Sequence, residues 1–335
     1  DSLEEYPTWT TTGMLEYSHN GDAFLAIAGV SPDYLSGIDP QKIGLVQKVA
    51  SQHNQEVSEL RGKGAMNWSV IAVATPSWAA KVFPDAPAAE QMGLLWEAIF
   101  KACRVDQANP TAAWEAHVRK LIEQREKFTA KQYSALKFTG PSTDLTVGLV
   151  SNHRWMGGDL SALNGIVCRP NLPTEEIFTL PHRENVNGVV TASMPLNLRG
   201  TLLEDFSFTF ENGRVVKATA RQGEAVLNSL LETDDGARRL GEVALVPHSS
   251  PLSQMGHLFY NTLYDENAAS HLALGRAYND TLQGGTAMSR EEFTAAGGNN
   301  SMIHVDFMIG SSEIDVDGVC ADGTAEPIMR NGNWV

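Results

Sequence analysis

The chain has 335 residues, 42% of them hydrophobic, with 40 acidic against 25 basic side chains and a formal charge of -15. That length supports a large core and favours two domains or one big one, and the acidic excess, with no concentrated basic stretch, argues against nucleic acid or an anionic membrane surface as a partner. Cys103, Cys168 and Cys320 form no Cys-x-x-Cys pair or disulfide framework, no apolar run is long enough to span a bilayer, and Asp1 to Trp9 do not read as a signal peptide, so a reduced, cytoplasmic protein is expected.

In chain order, the first half alternates apolar runs with amphipathic segments, the pattern of an α/β layer domain. Ala23 to Ala28 and Trp68 to Ala74 are expected to be strands buried on both faces. Between them Val46, Val49, Ala50, Val57 and Leu60 recur at helical spacing behind the helix start Asp39-Pro40, with His53 on the apolar face and so expected in the core. Further helices are expected over about 88–103 and 111–128, the second with Trp114, Val118, Leu121 and Ile122 on one face. After about Thr139 the texture becomes β: Asn164-Gly165, Asn187-Gly188, Asn212-Gly213, Asp322-Gly323 and Asn331-Gly332 are hairpin-turn signals. Phe206, Phe208 and Phe210 alternate with polar residues before Asn212-Gly213, and Val215 and Val216 follow, which predicts an antiparallel hairpin; a helix is expected over about 224–231. The fold class is therefore read as α/β, with an N-terminal α/β layer domain over residues 1–145 and a C-terminal β-rich α+β domain over residues 146–335.

The sharpest local signal is Ile303-His304-Val305-Asp306-Phe307-Met308, where a His-x-Asp pair sits in an apolar run. In a strand, residues two apart share a face, so His304 and Asp306 project together, as two metal ligands or as a hydrogen-bonded pair. His271, in Ser270-His271-Leu272-Ala273-Leu274-Gly275, and Glu242, in Leu240-Gly241-Glu242-Val243-Ala244-Leu245, are likewise ionisable groups set in apolar sequence. Burying an unpaired carboxylate costs several kcal/mol, so Glu242 implies a nearby cation or strong donor. Glu176, in Pro173-Thr174-Glu175-Glu176, carries less by itself, because an acidic pair after proline usually marks a solvated turn.

Taken together these stretches resemble the aminopeptidase T and aminopeptidase S metallopeptidases. The resemblance is densest in the second half, through 170–178, Pro181-His182-Arg183, Leu240 to Pro247, Phe259 to Leu263, Asp265-Glu266-Asn267-Ala268, His271 to Tyr278, His304 to Gly310 and Arg330 to Trp334. It implies metal ligands at Glu176, Glu242, His271, His304 and Asp306 and an active-site tyrosine at Tyr278. It further implies a homodimer that releases N-terminal amino acids from peptides by water activated at two divalent metal ions, zinc foremost, with cobalt or manganese as alternatives. Three carboxylates and two imidazoles are a suitable mixed donor set for such ions, and Glu242 is open to roles as bridge, general base or both. Members of the family carry a further N-terminal segment ahead of the point matching Asp1, so the first domain is expected to be truncated at its start.

Two rival readings remain at this stage. His271, His304 and Asp306 could form the two-His-one-carboxylate triad of a mononuclear iron oxygenase, which leaves Glu176 and Glu242 without a role; or the scaffold could be a non-catalytic binding protein. His-Glu-x-x-His, phosphate-loop and Gly-x-Ser-x-Gly motifs are absent. Glu313, Asp315 and Asp317 read as a solvated strand face, and His182 and Arg183 as a structural turn or a substrate contact.

Overall fold

The structure, a computed structural model, describes residues 2–198 and 200–335. It opens with α1 (Thr8–His19), β1 (Phe24–Ala28), α2 (Pro40–His53), α3 (Gln55–Gly62) and β2 (Trp68–Ala72), and continues through α4 (Pro76–Val82), α5 (Ala88–Ala102) and α6 (Pro110–Lys131). Proline begins α2, α4 and α6, where its missing N–H costs nothing; Asp39 and Asn109 cap α2 and α6 by accepting from Gln41 and Ala112 N–H.

β1 and β2 pair in parallel from Phe24↔Trp68 to Ala28↔Ala72, with α2 and α3 in the crossover. The expectation that both strands are buried on both faces is overturned. Ala28, Val70 and Ala72 pack on α4 and α5, but Leu25 and Ile27 on the other face are 56% and 58% exposed. The expected core position of His53 is also corrected. The helix breaks at Asn54, whose amide donates to Ala50 O and whose carbonyl oxygen accepts from the Thr11 hydroxyl; His53 is left exposed, stacked on Tyr6 at 4.9 Å between ring centroids.

Cys103 follows α5 in a second buried cluster, where burial pushes its thiol up to about 11. At pH 8 the thiolate fraction is then of the order of 10⁻³, so Cys103 is expected to react with a disulfide reagent far more slowly than half-buried Cys168 and Cys320. Three equal thiol-release rates in the folded protein would contradict this.

The remaining strands are β3 (Ala135–Gly140), β4 (Thr143–Leu149), β5 (Leu160–Ser161), β6 (Val167–Cys168), β7 (Ile177–Thr179), β8 (Pro181–Thr191), β9 (Leu196–Leu198), β10 (Thr201–Leu203), β11 (Ser207–Glu211) and β12 (Arg214–Thr219). After α7 (Glu224–Leu231) come β13 (Leu240–Leu245), α8 (Pro251–Met255), α9 (Thr262–Asp265), β14 (His271–Gly275), α10 (Arg290–Ala295), β15 (His304–Met308), β16 (Asp315–Val319), β17 (Ala325–Arg330) and β18 (Asn333–Trp334). Two sheets dominate: an eight-stranded one ordered β12-β11-β8-β4-β3-β16-β17-β18 and a four-stranded antiparallel one ordered β15-β14-β13-β7.

Asn212-Gly213 and Asn331-Gly332 turn as expected, both residues of each pair having the positive φ that a type I′ hairpin needs. Asn187-Gly188 does not turn: it lies inside β8. Gly188 is required there because β8 presses on β4, and a Cβ would lie 2.1 Å from Asp144 O. The main core fills the space between the two sheets, with Phe138, Leu145, Val147, Phe208 and Val316 from one and Val243, Leu245, Leu272, Leu274 and Phe307 from the other. Among the described residues no helix is long and apolar enough to cross a membrane.

Candidate metal centre

The four-stranded sheet has one face for the core and one for chemistry. Because side chains alternate, Val243, Leu245, Leu272, Leu274, Val305 and Phe307 point into the core, and Glu242, His271, His304 and Asp306 point the other way. Glu176 immediately precedes β7 and lines the same cavity as Phe178, two residues on. Glu242 and Asp306 each pair with Ala273, and His271 pairs with Ala244, so methyl groups separate the ionisable side chains and leave a hollow between them.

Within that hollow the ligand atoms of Glu176, Glu242 and His271 all lie within 4.8 Å of one another. His271 Nε2 is 3.1 Å from Glu176 Oε2 and 3.6 Å from Glu242 Oε1. His304 Nε2 is 3.4 Å from Asp306 Oδ1 and 3.6 Å from Glu242 Oε2. The structure thus brings together all five residues singled out as ligands, with Glu242 facing both histidines.

Second hydrogen bonds fix what these atoms can do. His271 Nδ1 donates to Ala269 O at 3.1 Å and His304 Nδ1 to Arg276 O at 2.7 Å. In each neutral ring this turns the Nε2 lone pair toward the carboxylates, an arrangement suited to a cation between them. The buried Glu176 Oε2 has no hydrogen-bond partner of its own. Burial pushes the Glu242 carboxyl up to about 7, against the opposing pull of His271 and His304. Burial also acts to lower His304, but Asp306 and Glu242 outweigh it and carry the imidazole up to about 9. Such strained protonation is what a set of anionic oxygens and imidazoles shows without a divalent ion, and the donor set fits one.

Tyr278, just beyond β14, lies with its ring 4.8 Å from the His304 ring and borders the cavity; burial, Glu242 and Asp306 raise its phenol well above the ordinary value. A cavity of about 560 Å³ opens over the ligands and is also lined by Trp68, Arg61, Met156 and Phe178. Gly157 sits against the ligand backbone, where a Cβ would lie 2.4 Å from Glu176 O.

Sequence reasoning missed Glu266. It follows α9, lines the cavity, and has its carboxyl raised well above the usual range by burial and then by the charges of Asp306 and Glu176. Its neighbour Asp265 turns away, accepting from Phe259 N–H at 2.7 Å and Asn261 N–H at 3.0 Å. The available signal was a pair of acids five to six residues ahead of His271 in a mostly apolar stretch.

The expectation of a solvated Glu175-Glu176 turn is corrected, since both residues are buried. Glu175 N–H donates to Asn267 Oδ1 at 2.6 Å, and the Glu175 carboxylate is held by Arg104 from beyond α5, with Nη1 at 2.6 Å and Nη2 at 3.1 Å. Arg104 also donates to His117 Nδ1, whose Nε2 donates to Thr174 O at 2.7 Å. The acidic pair thus divides its work: Glu175 locks the segment and Glu176 faces the cavity. Replacing Arg104 with Met strands a buried carboxylate and is expected to cost about 3–5 kcal/mol of stability. Urea unfolding of the metal-free protein would read this, and Arg104→Met/Glu175→Leu should recover most of it; no recovery would mean that the pair is not the cause.

His182 and Arg183 lie apart from this cluster: His182 Nδ1 accepts from Glu184 N–H at 3.2 Å, and Arg183 Nη2 is 3.6 Å from Asp235. Asp315 and Asp317 sit on β16 beside Arg330.

Comparison with known proteins bears on this centre. The profile of the family described as thermophilic metalloprotease (M29) matches residues 1–334. Aminopeptidase T of Thermus thermophilus is 49% identical over 335 residues, covering 100% of this chain and 82% of that protein. Aminopeptidase AmpS of Bacillus subtilis is 46% identical over 334 residues, again covering 100% and 82%. The solved structure of wild-type AmpT from Thermus thermophilus superimposes with a TM-score of 0.92 at 49% identity, covering 99% of this chain and 81% of that one. This sets the oxygenase reading aside. The chain belongs to the thermophilic metalloproteases (M29), with aminopeptidases T and S among its relatives, and is a metal-dependent aminopeptidase.

Proposed function

We propose that the chain releases N-terminal residues from peptides at a centre of two divalent ions held by Glu176, Glu242, His271, His304 and Asp306, with Glu266 as a further donor. The observation that carries this reading is the position of Glu242, whose two oxygens face separate groups, Glu176 with His271 and Asp306 with His304. Two adjacent ions, when bound, supply an activated water and charge stabilisation for the developing oxyanion. Zinc suits the donors best, with cobalt or manganese as alternatives.

The protein's own groups do the rest. Glu242 is buried between His271 and His304, placed to take a proton from the attacking water and pass it to the leaving amine. Tyr278 keeps its proton at working pH and is placed to donate a hydrogen bond to the oxyanion. The acidic face attracts a substrate's α-amino group, and the apolar ring of Phe178, two residues from Glu176, lines the cavity with it.

The deciding experiment compares short unblocked peptides with their N-acetylated forms, with metal content measured on the same sample. Hydrolysis of the free peptides alone, with two ions per chain, is the expected result; equal cleavage of both forms, or one ion per fully active chain, would overturn it. We also propose a cytoplasmic homodimer, which a monomeric mass in solution would contradict. The chain is taken to comprise two domains; the boundary expected between residues 145 and 146 falls inside β4, so it is placed ahead of β3, which runs with β4 in the eight-stranded sheet.

A further inference from the structure

Beyond the ligands, the cavity wall holds a cation that the chemistry so far does not use. Arg61 lies in the last turn of α3, and its guanidinium carbon stands 5.3 Å from the Trp68 ring centroid and 5.6 Å from that of Phe24. These two rings are the first register pair of β1 and β2, so the parallel strands place both beside the guanidinium. Its Nε is buried without a hydrogen-bond partner, and among the described residues no carboxylate forms an ion pair with it. This is notable in a cavity that Glu176, Glu242, Glu266 and Asp306 also line. A half-buried guanidinium with open donors is a receptor for a planar anion.

Arg61 shares its cavity with the reaction centre. Tyr278 and His304, in ring contact at 4.8 Å, line the same cavity. Peptides of two or three residues span roughly 7–11 Å when extended. A peptide with its amino end at the ligand cluster carries an opposite charge at its other end, which the acidic ligands would repel.

We infer that Arg61 anchors the C-terminal carboxylate of a di- or tripeptide whose amino end lies at the Glu176, Glu242 and His304 cluster, so that the enzyme is selective for short peptides with a free C-terminus. The inference rests on the aminopeptidase reading. Trp68 and Phe24 hold the guanidinium at the cavity wall, and lengthening the peptide carries the carboxylate past it.

The test uses the metal-loaded enzyme and leucine-led di-, tri- and pentapeptides, each as the free acid and as the C-terminal amide. Glutamate-led tripeptide amides distinguish a side-chain carboxylate from a terminal one. The parent should prefer the di- or tripeptide acid over its amide by about tenfold or more in kcat/KM, mainly through KM, and show little preference with pentapeptides. Arg61→Gln should bring the acid-to-amide ratio close to one, and Arg61→Lys should keep part of it. If Arg61→Gln does not fold, the parent's acid-to-amide ratios and Arg61→Lys decide. Equal cleavage of acids and amides by the parent overturns the anchor while leaving the aminopeptidase intact. So does an unchanged ratio in folded Arg61→Gln, or an Arg61-dependent preference for glutamate-led amides. No cleavage of any peptide by metal-loaded protein would instead overturn the reading on which the anchor rests.

Discussion

Replacing Glu242 with Gln is expected to lower kcat for an unblocked peptide by about 10³-fold, within the range ascribed to a positioned general acid or base, without unfolding the protein. Gln keeps the shape and one acceptor oxygen but loses the charge and the ability to carry a proton. Stability should move the other way in the metal-free state. Glu176, Glu242, Glu266 and Asp306 face one cavity, and burial outweighs the pull of His271 and His304 and drives the Glu242 carboxyl up to about 7. Replacing it with a neutral amide removes the cost of burying that charge, so the metal-free variant should melt at the same temperature as the parent or above it. Steady-state kinetics and a thermal melt on the same preparations test both halves. Near-parental turnover would remove Glu242 from the chemistry, and a large fall in Tm would recast it as a structural residue.

Stripping the metal by exhaustive chelation is expected to abolish peptide hydrolysis and to lower Tm, both reversed by adding back a divalent ion. The candidate ligands come from three neighbouring strands and the residue before β7, so a bound ion ties four elements together above the core. A ligand that binds only the folded state stabilises it by RT ln(1 + [L]/Kd), about 4 kcal/mol at a thousandfold excess over Kd. Release should also change protonation, because His271 without a cation is driven well above its usual value: burial opposes its charge, but Glu176 and Glu242 outweigh that. Proton uptake on metal removal, measured by titration in weak buffer, accompanies the loss of activity. Full hydrolysis by protein shown to be metal-free would refute the metal centre as the seat of catalysis.

The parts of the site legible in the sequence were those whose chemistry clashes with their neighbours. His304 and Asp306 stand two apart in an apolar strand, and strand alternation alone puts them side by side. His271 and Glu242 stood out for the same reason. Glu176 and Glu266 did not, because each adjoins a second acid, and local sequence cannot say which member of such a pair is locked by a buried arginine or by backbone amides. Arg104, more than seventy residues from Glu175 in the chain, settles the first case; the N–H groups of Phe259 and Asn261 settle the second. The same limit explains Asn187-Gly188 and His53. An Asn-Gly pair signals a turn unless a neighbouring strand needs the glycine for clearance, and a histidine on an apolar stripe is buried only if the helix runs on.

By itself, then, the sequence determined the mixed α/β character, the helical segments of α2 with α3, α5, α6 and α7, the Asn212-Gly213 and Asn331-Gly332 hairpins, and the residue types that a metal centre needs, because these follow from periodicity, backbone preference and the cost of isolated charge. Only the tertiary structure decided that the five candidate ligand residues from four segments line one cavity over one sheet, that Ala244 and Ala273 leave room between them, that Glu266 joins them, and that Arg61 lines the same cavity with no carboxylate partner among the described residues. Those outcomes depend on strand order and register, which are set by how two sheets bury a common core rather than by any local run of residues.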